Sequence, residues 1–305
     1  MKDKYLVVKG KAGMGNRLLY LAYSVVYAIA SQRALHIDWR DEVYSDDGVD
    51  AFEALFALKG IEINKFALQS IGDLEVYPEV WSGNLDMSVG ELSSCLKEVL
   101  DCRWRVRENI MRGSEDFDVM TSVPVRVKWG YNSHINNLPT PVKMELFGTT
   151  CPKVILRWFF GEVLVPCEEV RNRVDTFSER YGELIGVHVR HSDKKSGQPV
   201  EQCFERIDEL NSLNQIFLAT DNVEVLEEFE RRYGGRIVTT SKWYPEAGRS
   251  AHKNETCPDR LENAREALVD IYLLAKCETF LRQAGSTFGD ICDHIAGRDS
   301  PAWNK

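Results

Sequence analysis

The chain has 305 residues, room for about two ordinary domains with substantial cores. Hydrophobic residues make up 44% and charged residues 28%, a balance that excludes a mostly disordered chain, a collagen-like chain and a coiled coil. Thirty-eight basic against 47 acidic residues leave a net charge of −9, the reverse of what a general nucleic-acid binder carries, although a local basic pocket is still allowed.

The first 40 residues predict strand, loop, helix, strand. Tyr5-Leu6-Val7-Val8 is a short apolar run of the kind a buried strand shows. Gly10, Gly13 and Gly15 punctuate a tight loop, and Leu18, Ala22, Val25 and Ile29 recur at helical spacing. Leu35 to Trp39 is the second strand, so the chain opens with a βαβ unit and a parallel sheet. The apolar run at the N-terminus is too short for a signal peptide or a membrane span, and the expected location is cytoplasmic.

Over residues 41–150 the pattern weakens. Helical pieces are expected near 50–58 and 90–100, while Pro78, Gly83, Pro124, Gly130, Pro139 and Pro141 break up the rest. Periodicity returns after about residue 165. Helices are expected over Glu168 to Tyr181, Phe204 to Leu213, Val223 to Tyr233 and Leu261 to Cys277, with a last one after Thr287. Between them lie strands at Leu184 to Arg190, Gln215 to Asp221, Arg236 to Thr239 and Thr279 to Leu281. This alternation predicts a second doubly wound sheet. The fold class is therefore α/β, with two Rossmann-like domains facing a cleft, divided as 1–165 and 166–305.

The eight cysteines (Cys95, Cys102, Cys151, Cys167, Cys203, Cys257, Cys277 and Cys292) form no C-x-x-C pair and no zinc spacing. They are expected to be reduced and mostly buried.

In open α/β sheets, ligands bind at the carboxyl ends of the strands. Four segments qualify: Lys9 to Asn16, His188 to Lys195, Thr220 to Asn222 and Gly285 to Thr287. In the first, glycines allow a sharp turn and close approach of a ligand or of the other domain. Asp38 ends the next strand at a spacing that mimics the acid holding a nicotinamide cofactor's ribose, so both a dehydrogenase and a purely structural turn fit that loop. The second segment gathers two histidines, Arg190, Asp193, Lys194 and Lys195. A guanidinium there can grip a phosphate with two parallel hydrogen bonds, though a solvated charged turn has the same composition. His188, flanked by Val187 and Val189, is the member best placed to be simply packed. Asp270 sits in a nearly apolar helix and must be on an open side or partnered, because an unpaired buried charge is costly. Ser286 and Thr287 can cap the next helix, whose N-terminus is also a natural anion site.

At these residues the chain resembles the α1,6-fucosyltransferases of glycosyltransferase family 23. KAGMGNRLLYLAYSVVYAIASQRALHIDWR is similar to that family's opening βαβ, Gly186 to His191 to its G-V-H-V-R motif, and Phe217 to Asp221 to its next strand end. Leu268 to Ala275 followed by Ser286 resembles its donor-binding helix and loop. The likeness covers most of the chain and is loosest over about 45–165.

The resemblance implies a GT-B arrangement, with GDP-fucose bound mainly by the C-terminal domain and the acceptor on the N-terminal one. It also implies inversion at the anomeric carbon, with no metal and no other cofactor. Arg190 would hold the β-phosphate, Ser286 and Thr287 the diphosphate, Asp270 the guanine or ribose end, and His188 would line the donor pocket. Gly15, Asn16, Lys194 and Asp221 would face the acceptor or the cleft. By count from the arginine, the family's general base falls on Gln198, which cannot act as one, leaving Asp193 or Glu201 as candidates. The partners implied are a nucleotide-sugar donor and a glycan acceptor, such as a chitin-like oligosaccharide or an N-glycan core. Trp39, Trp81 and Trp129 could stack on sugar faces or belong to the core. The missing glutamate also keeps open a non-catalytic nucleotide-sugar or glycan-binding protein on the same fold.

Overall fold

The computed structural model describes residues 4–46, 48–65, 68, 74–95, 117–123, 139–191, 200–246 and 256–304. It divides into two compact units, Met1–Val165 and Pro166–Lys305.

The first unit is built on a four-stranded parallel sheet. Strand β1 (Tyr5–Lys9) lies between β2 (Ala34–Asp38) on one side and, on the other, β5 (Val119–Ser122), which pairs in turn with β4 (Val76–Tyr77). Leu6, Val7, Val8 and Lys9 are all buried without alternation, because both faces of this sheet are covered. Helix α1 (Met14–Ser31) joins β1 to β2, with Leu18, Ala22 and Val25 in the core. It ends where Gln32 turns left-handed at φ 53°.

The loop ahead of α1 differs from expectation. The left-handed residue is Ala12, at φ 69°, rather than any of the three glycines. Gly10 serves close approach instead. A Cβ there would lie 2.8 Å from Arg17 Nη1 and 2.9 Å from Trp39 Cα, so any larger residue would push β2's end off the loop.

In the middle region the helix expected over 50–58 stops early. Helix α2 (Ala51–Leu55) is capped by Asp50, whose carboxylate accepts the Phe52 N–H at 2.8 Å, and the chain then runs extended as β3 (Phe56–Leu58). That short strand pairs with β6 (Leu164–Pro166), a partner more than 100 residues away. Helices at Val89–Cys95, Thr140–Phe147 and Pro152–Trp158 complete the described part of this unit.

The second unit repeats the scheme more regularly. Strand β7 (Leu184–Val189), buried at all six positions, is the hub of a parallel sheet. On one side lie β8 (Gln215–Thr220) and then β9 (Ile237–Val238), and on the other β10 (Thr279–Leu281). The helices are Glu168–Tyr181, Glu201–Glu209, Val223–Tyr233, Arg260–Lys276 and Thr287–Ala296. The second was expected at 204–213 and instead begins at Glu201. Val223–Tyr233 starts at an Asn222 cap and stops at Gly234, φ 56°, which has no Cβ to clash there. Ile185, Val187, Phe204, Ile216, Leu218 and Phe229 form the core on one face of the sheet.

This strand order creates a topological switch. The chain builds from β7 outward to β8 and β9, then returns to place β10 on β7's other side. Loops leaving β7 and β10 therefore diverge and open a crevice between them at their carboxyl ends.

Among the described residues no helix is long and apolar enough to cross a membrane. Of the described cysteines, Cys203, Cys277 and Cys292 are buried, whereas Cys95 and Cys151 are exposed, so the expectation of mostly buried thiols does not hold. Burial pushes the Cys277 thiol up to about 12 and Cys203 upward as well.

Candidate functional site

Arg190 is the first residue beyond β7. Its backbone N–H donates to the side-chain oxygen of Gln283 at 2.7 Å, across the switch point, in the loop after β10. The next N–H, that of His191, donates to Asp221 at 2.9 Å, from the loop after β8. The chain leaving β7 is thus held from both neighbouring strands, and the half-buried Arg190 starts from a fixed backbone. Gln283 is itself buried, and its carbonyl accepts the Ser286 N–H at 3.4 Å.

Ser286 immediately precedes the helix Thr287–Ala296. It occupies the capping position, but its side chain makes no capping bond, which corrects the capping expectation. Its hydroxyl is buried and has no hydrogen-bond partner. Thr287, half-buried, is the first helical residue. A helix N-terminus with spare N–H groups and an unsatisfied hydroxyl is a receptive place for an anion.

His188, the residue before last in β7, is buried and stacks on Phe288 of that same helix, with ring centroids 4.8 Å apart and planes at 15°. Its carbonyl accepts the Trp303 indole N–H at 3.0 Å, while Nδ1 has no partner. Burial, reinforced by the cations of Arg190 and Lys242, lowers its pKa to about 3. The ring is therefore neutral, with one nitrogen left to make a hydrogen bond.

Asp270 lies on the buried face of Arg260–Lys276 and is partnered rather than open. One carboxylate oxygen accepts from Thr240 Oγ1 at 2.7 Å, and the other pairs with the buried ammonium of Lys242. One turn earlier, Glu266 accepts the Trp243 N–H at 3.0 Å, so the segment after β9 is fastened along this helix. Thr240, Lys242, Gln283 and Phe288 were all missed in the sequence reading. The signal for Thr240 and Lys242 was available: they follow a strand at its carboxyl end, the same rule that singled out the other loops.

In the first unit, Lys9 and Asp38 end neighbouring strands and pair at 2.6 Å, both almost fully buried. The Lys9 ammonium also donates to the carbonyls of Leu85 and Met87, the latter at 2.9 Å. Arg40 grips the same carboxylate from outside, Nε at 2.8 Å and Nη2 at 2.9 Å. Burial alone would raise the Asp38 pKa, but the Arg40 hydrogen bonds and the Lys9 charge outweigh it and leave the net shift downward. Burial lowers that of Lys9. With the Arg40 backbone N–H at 3.2 Å, Asp38 accepts four hydrogen bonds, two on each oxygen, which fills its lone pairs; the expectation that it holds a cofactor ribose is overturned, removing the dehydrogenase reading.

Trp39 and Trp81 are fully buried and have cations over their rings, Arg17 at 5.0 Å and Lys9 at 5.1 Å. They are core residues, not sugar platforms. Gly15 and Asn16 form the first turn of α1, the former buried and the latter partly so. Glu201 is exposed at the start of Glu201–Glu209. Asp193, Lys194, Lys195, Gln198 and Trp129 lie outside the described residues. Among the described residues, no group of three or more His, Cys, Asp or Glu could hold a metal ion.

The second unit thus carries a basic strand end locked to an open helix N-terminus at the switch point of a parallel sheet. With the parallel sheet of the first unit, this defines the class: an α/β protein of two parallel-sheet units, with a basic strand end beside a helix N-terminus in its C-terminal half. The family model of nodulation protein Z (NodZ) matches residues 2–298, and the chain belongs to that family. Nodulation protein Z of Bradyrhizobium diazoefficiens is 24% identical over 316 residues, covering 92% of this chain and 75% of that protein. The fold is similar to the crystal structure of NodZ alpha-1,6-fucosyltransferase soaked with GDP-fucose, with a TM-score of 0.60 and 22% identity over 96% of this chain and 93% of that one. It is also similar to POFUT1 in complex with GDP, with a TM-score of 0.54 and 13% identity over 99% of each chain.

Proposed function

We propose that this chain is a fucosyltransferase that moves fucose from GDP-fucose to a hydroxyl of a glycan acceptor, the 6-hydroxyl of N-acetylglucosamine, with inversion and without a metal. The observation that carries this reading is the lock between the Arg190 N–H and Gln283, which fixes the backbone of a cationic residue against the loop bearing the unsatisfied Ser286 hydroxyl. A NodZ relative whose structure was obtained with GDP-fucose shares the fold.

In this reading Arg190 holds the β-phosphate, and Ser286 and Thr287 with the helix N-terminus receive the diphosphate. His188 lines the donor pocket as a neutral hydrogen-bonding ring, and Asp270 meets the nucleoside end. The acceptor oxygen attacks the anomeric carbon from the face opposite GDP. The carbon–oxygen bond to the β-phosphate breaks, and its electron pair leaves with GDP. Negative charge grows on the leaving diphosphate, where Arg190 and the helix N-terminus stabilise it most in the transition state. Arg190 and the helix N-terminus bring to the diphosphate the positive charge and N–H dipoles that a divalent cation would otherwise supply. The acceptor proton passes to a carboxylate, Asp193 or Glu201, since Gln198 cannot accept it.

The test is an acceptor screen with labelled GDP-fucose, including chitooligosaccharides and N-glycan cores, each with and without a strong chelator. Transfer unaffected by chelator and giving the inverted anomer supports the reading. Loss of activity on chelation overturns the metal-free step. GDP binding without transfer or hydrolysis on any acceptor supports the non-catalytic binding alternative.

A further inference from the structure

The buried ammonium of Lys242 has no part in the mechanism above, yet it pairs with a donor-site group, Asp270, and its charge also contributes to lowering the His188 pKa. Its side chain is only 7% exposed, so it is no solvated surface lysine. Thr240, two residues earlier, takes the other oxygen of the same carboxylate. Trp243, the next residue, is tied to Glu266 one helical turn away. Three anchors, at Thr240, Lys242 and Trp243, therefore fix the segment after β9 against Glu266 and Asp270.

We infer that Lys242, with Thr240, is a positioning residue that aims the Asp270 carboxylate and thereby selects a guanine over an adenine base. The inference rests on the GDP-fucose reading, with Asp270 at the nucleoside end. A carboxylate has about four lone-pair sites, so two bonds to Thr240 and Lys242 leave acceptors to spare. Guanine presents adjacent N1–H and N2–H donors on its Watson–Crick edge, which a fixed carboxylate can accept together. Adenine presents an unprotonated N1 acceptor in the same place and would meet the carboxylate lone pair to lone pair. Hypoxanthine keeps N1–H but lacks the 2-amino group, so it isolates the second bond. Without Lys242 the carboxylate would lose its counter-charge and one of its two restraints, and either change blurs that choice.

The experiment is calorimetric titration of GDP, IDP, ADP and inorganic pyrophosphate into wild-type protein and into Lys242→Met, Lys242→Arg and Thr240→Val. Wild-type protein should bind GDP more tightly than IDP and far more tightly than ADP. Lys242→Met should weaken GDP by about tenfold or more and compress the GDP-to-ADP ratio, the scale of one charge-assisted hydrogen bond. Lys242→Arg should restore most of the discrimination, and pyrophosphate affinity should stay near wild type in every variant. Thr240→Val loses only a hydroxyl and should show a smaller compression, so it tests the idea even if Lys242→Met fails to fold. An unchanged GDP-to-ADP ratio in Lys242→Met, or in Thr240→Val where only that variant folds, overturns the inference. So does a loss of pyrophosphate affinity equal to the loss of GDP, because Lys242 would then act at the diphosphate. Wild-type protein that binds no GDP at all overturns the underlying reading instead.

Discussion

Ser286→Ala separates a ligand-binding hydroxyl from a structural one. Removing an ordinary serine cap costs about 1 kcal/mol of stability, because the cap satisfies an otherwise unpaired helix N–H. Here the side chain makes no capping bond and its oxygen is buried without a partner. An unsatisfied buried hydroxyl is itself unfavourable by about 1–3 kcal/mol. Its deletion should therefore leave the free protein's stability unchanged or raise it by up to about 1 kcal/mol. With a diphosphate bound, the same hydroxyl gains a charged acceptor, worth about 1.5–3 kcal/mol, so GDP affinity should fall by about 10- to 150-fold. Thermal melts with and without GDP, paired with calorimetric titration, read both effects: an unliganded Tm at or above wild type, with a smaller GDP-induced rise. A Tm lowered without ligand, together with an unchanged Kd for GDP, would show that the hydroxyl serves the fold and not the diphosphate.

Arg190→Ala keeps the backbone N–H that bonds Gln283, so its melting temperature should stay close to wild type while transfer falls by about 10²–10³, the scale for losing one preorganised transition-state donor; near-normal turnover would remove Arg190 from the mechanism. Lys9→Met strands two carbonyls and half-strips Asp38, whose remaining partner is Arg40, so chemical denaturation should show a loss of about 3 kcal/mol, and a loss under about 1 kcal/mol would mean that Arg40 alone suffices. Asp50→Asn tests a pH dependence. Burial raises the Asp50 carboxyl to about 6, above the ~3.9 of an unfolded aspartate, so the native state binds the proton first and the stability this group contributes is present below pH 4 and lost as pH rises through 6. The variant should match wild type near pH 4 and exceed it by on the order of 1–3 kcal/mol near pH 7, and parallel stability curves across that range would refute the shift.

Much of the second unit was legible from residues 184–289. Its strands are largely apolar runs, and two of its helices open on side-chain caps, Asn222 and Asp259, so local pattern and tertiary structure agree there. Asn222 and Gly234 mark one helix at both ends, and the strand-end rule led directly to Arg190, Asp221 and Ser286. The middle of the first unit was not legible for an equally local reason. Phe56–Leu58 follows a helix without a break in composition, and its partner strand lies at Leu164–Pro166. Nothing in a short window records a pairing across that separation. Trp39 and Trp81 were ambiguous because indole composition is the same in a core and on a sugar platform, and only the cations stacked over them decide the matter.

The sequence by itself determined the α/β class, the order of the strand-end loops and the basic patch within an acidic chain. Those features follow from periodicity and from residues adjacent along the chain. The state of each charged group was decided only by tertiary structure. Asp38 became an internal anchor rather than a ribose ligand, and Ser286 kept a free hydroxyl where a cap was expected. Asp270 acquired Lys242 and Thr240, which lie far from it along the chain. Burial and pairing are properties of neighbours in space, and in a parallel sheet those neighbours come from crossovers tens of residues long.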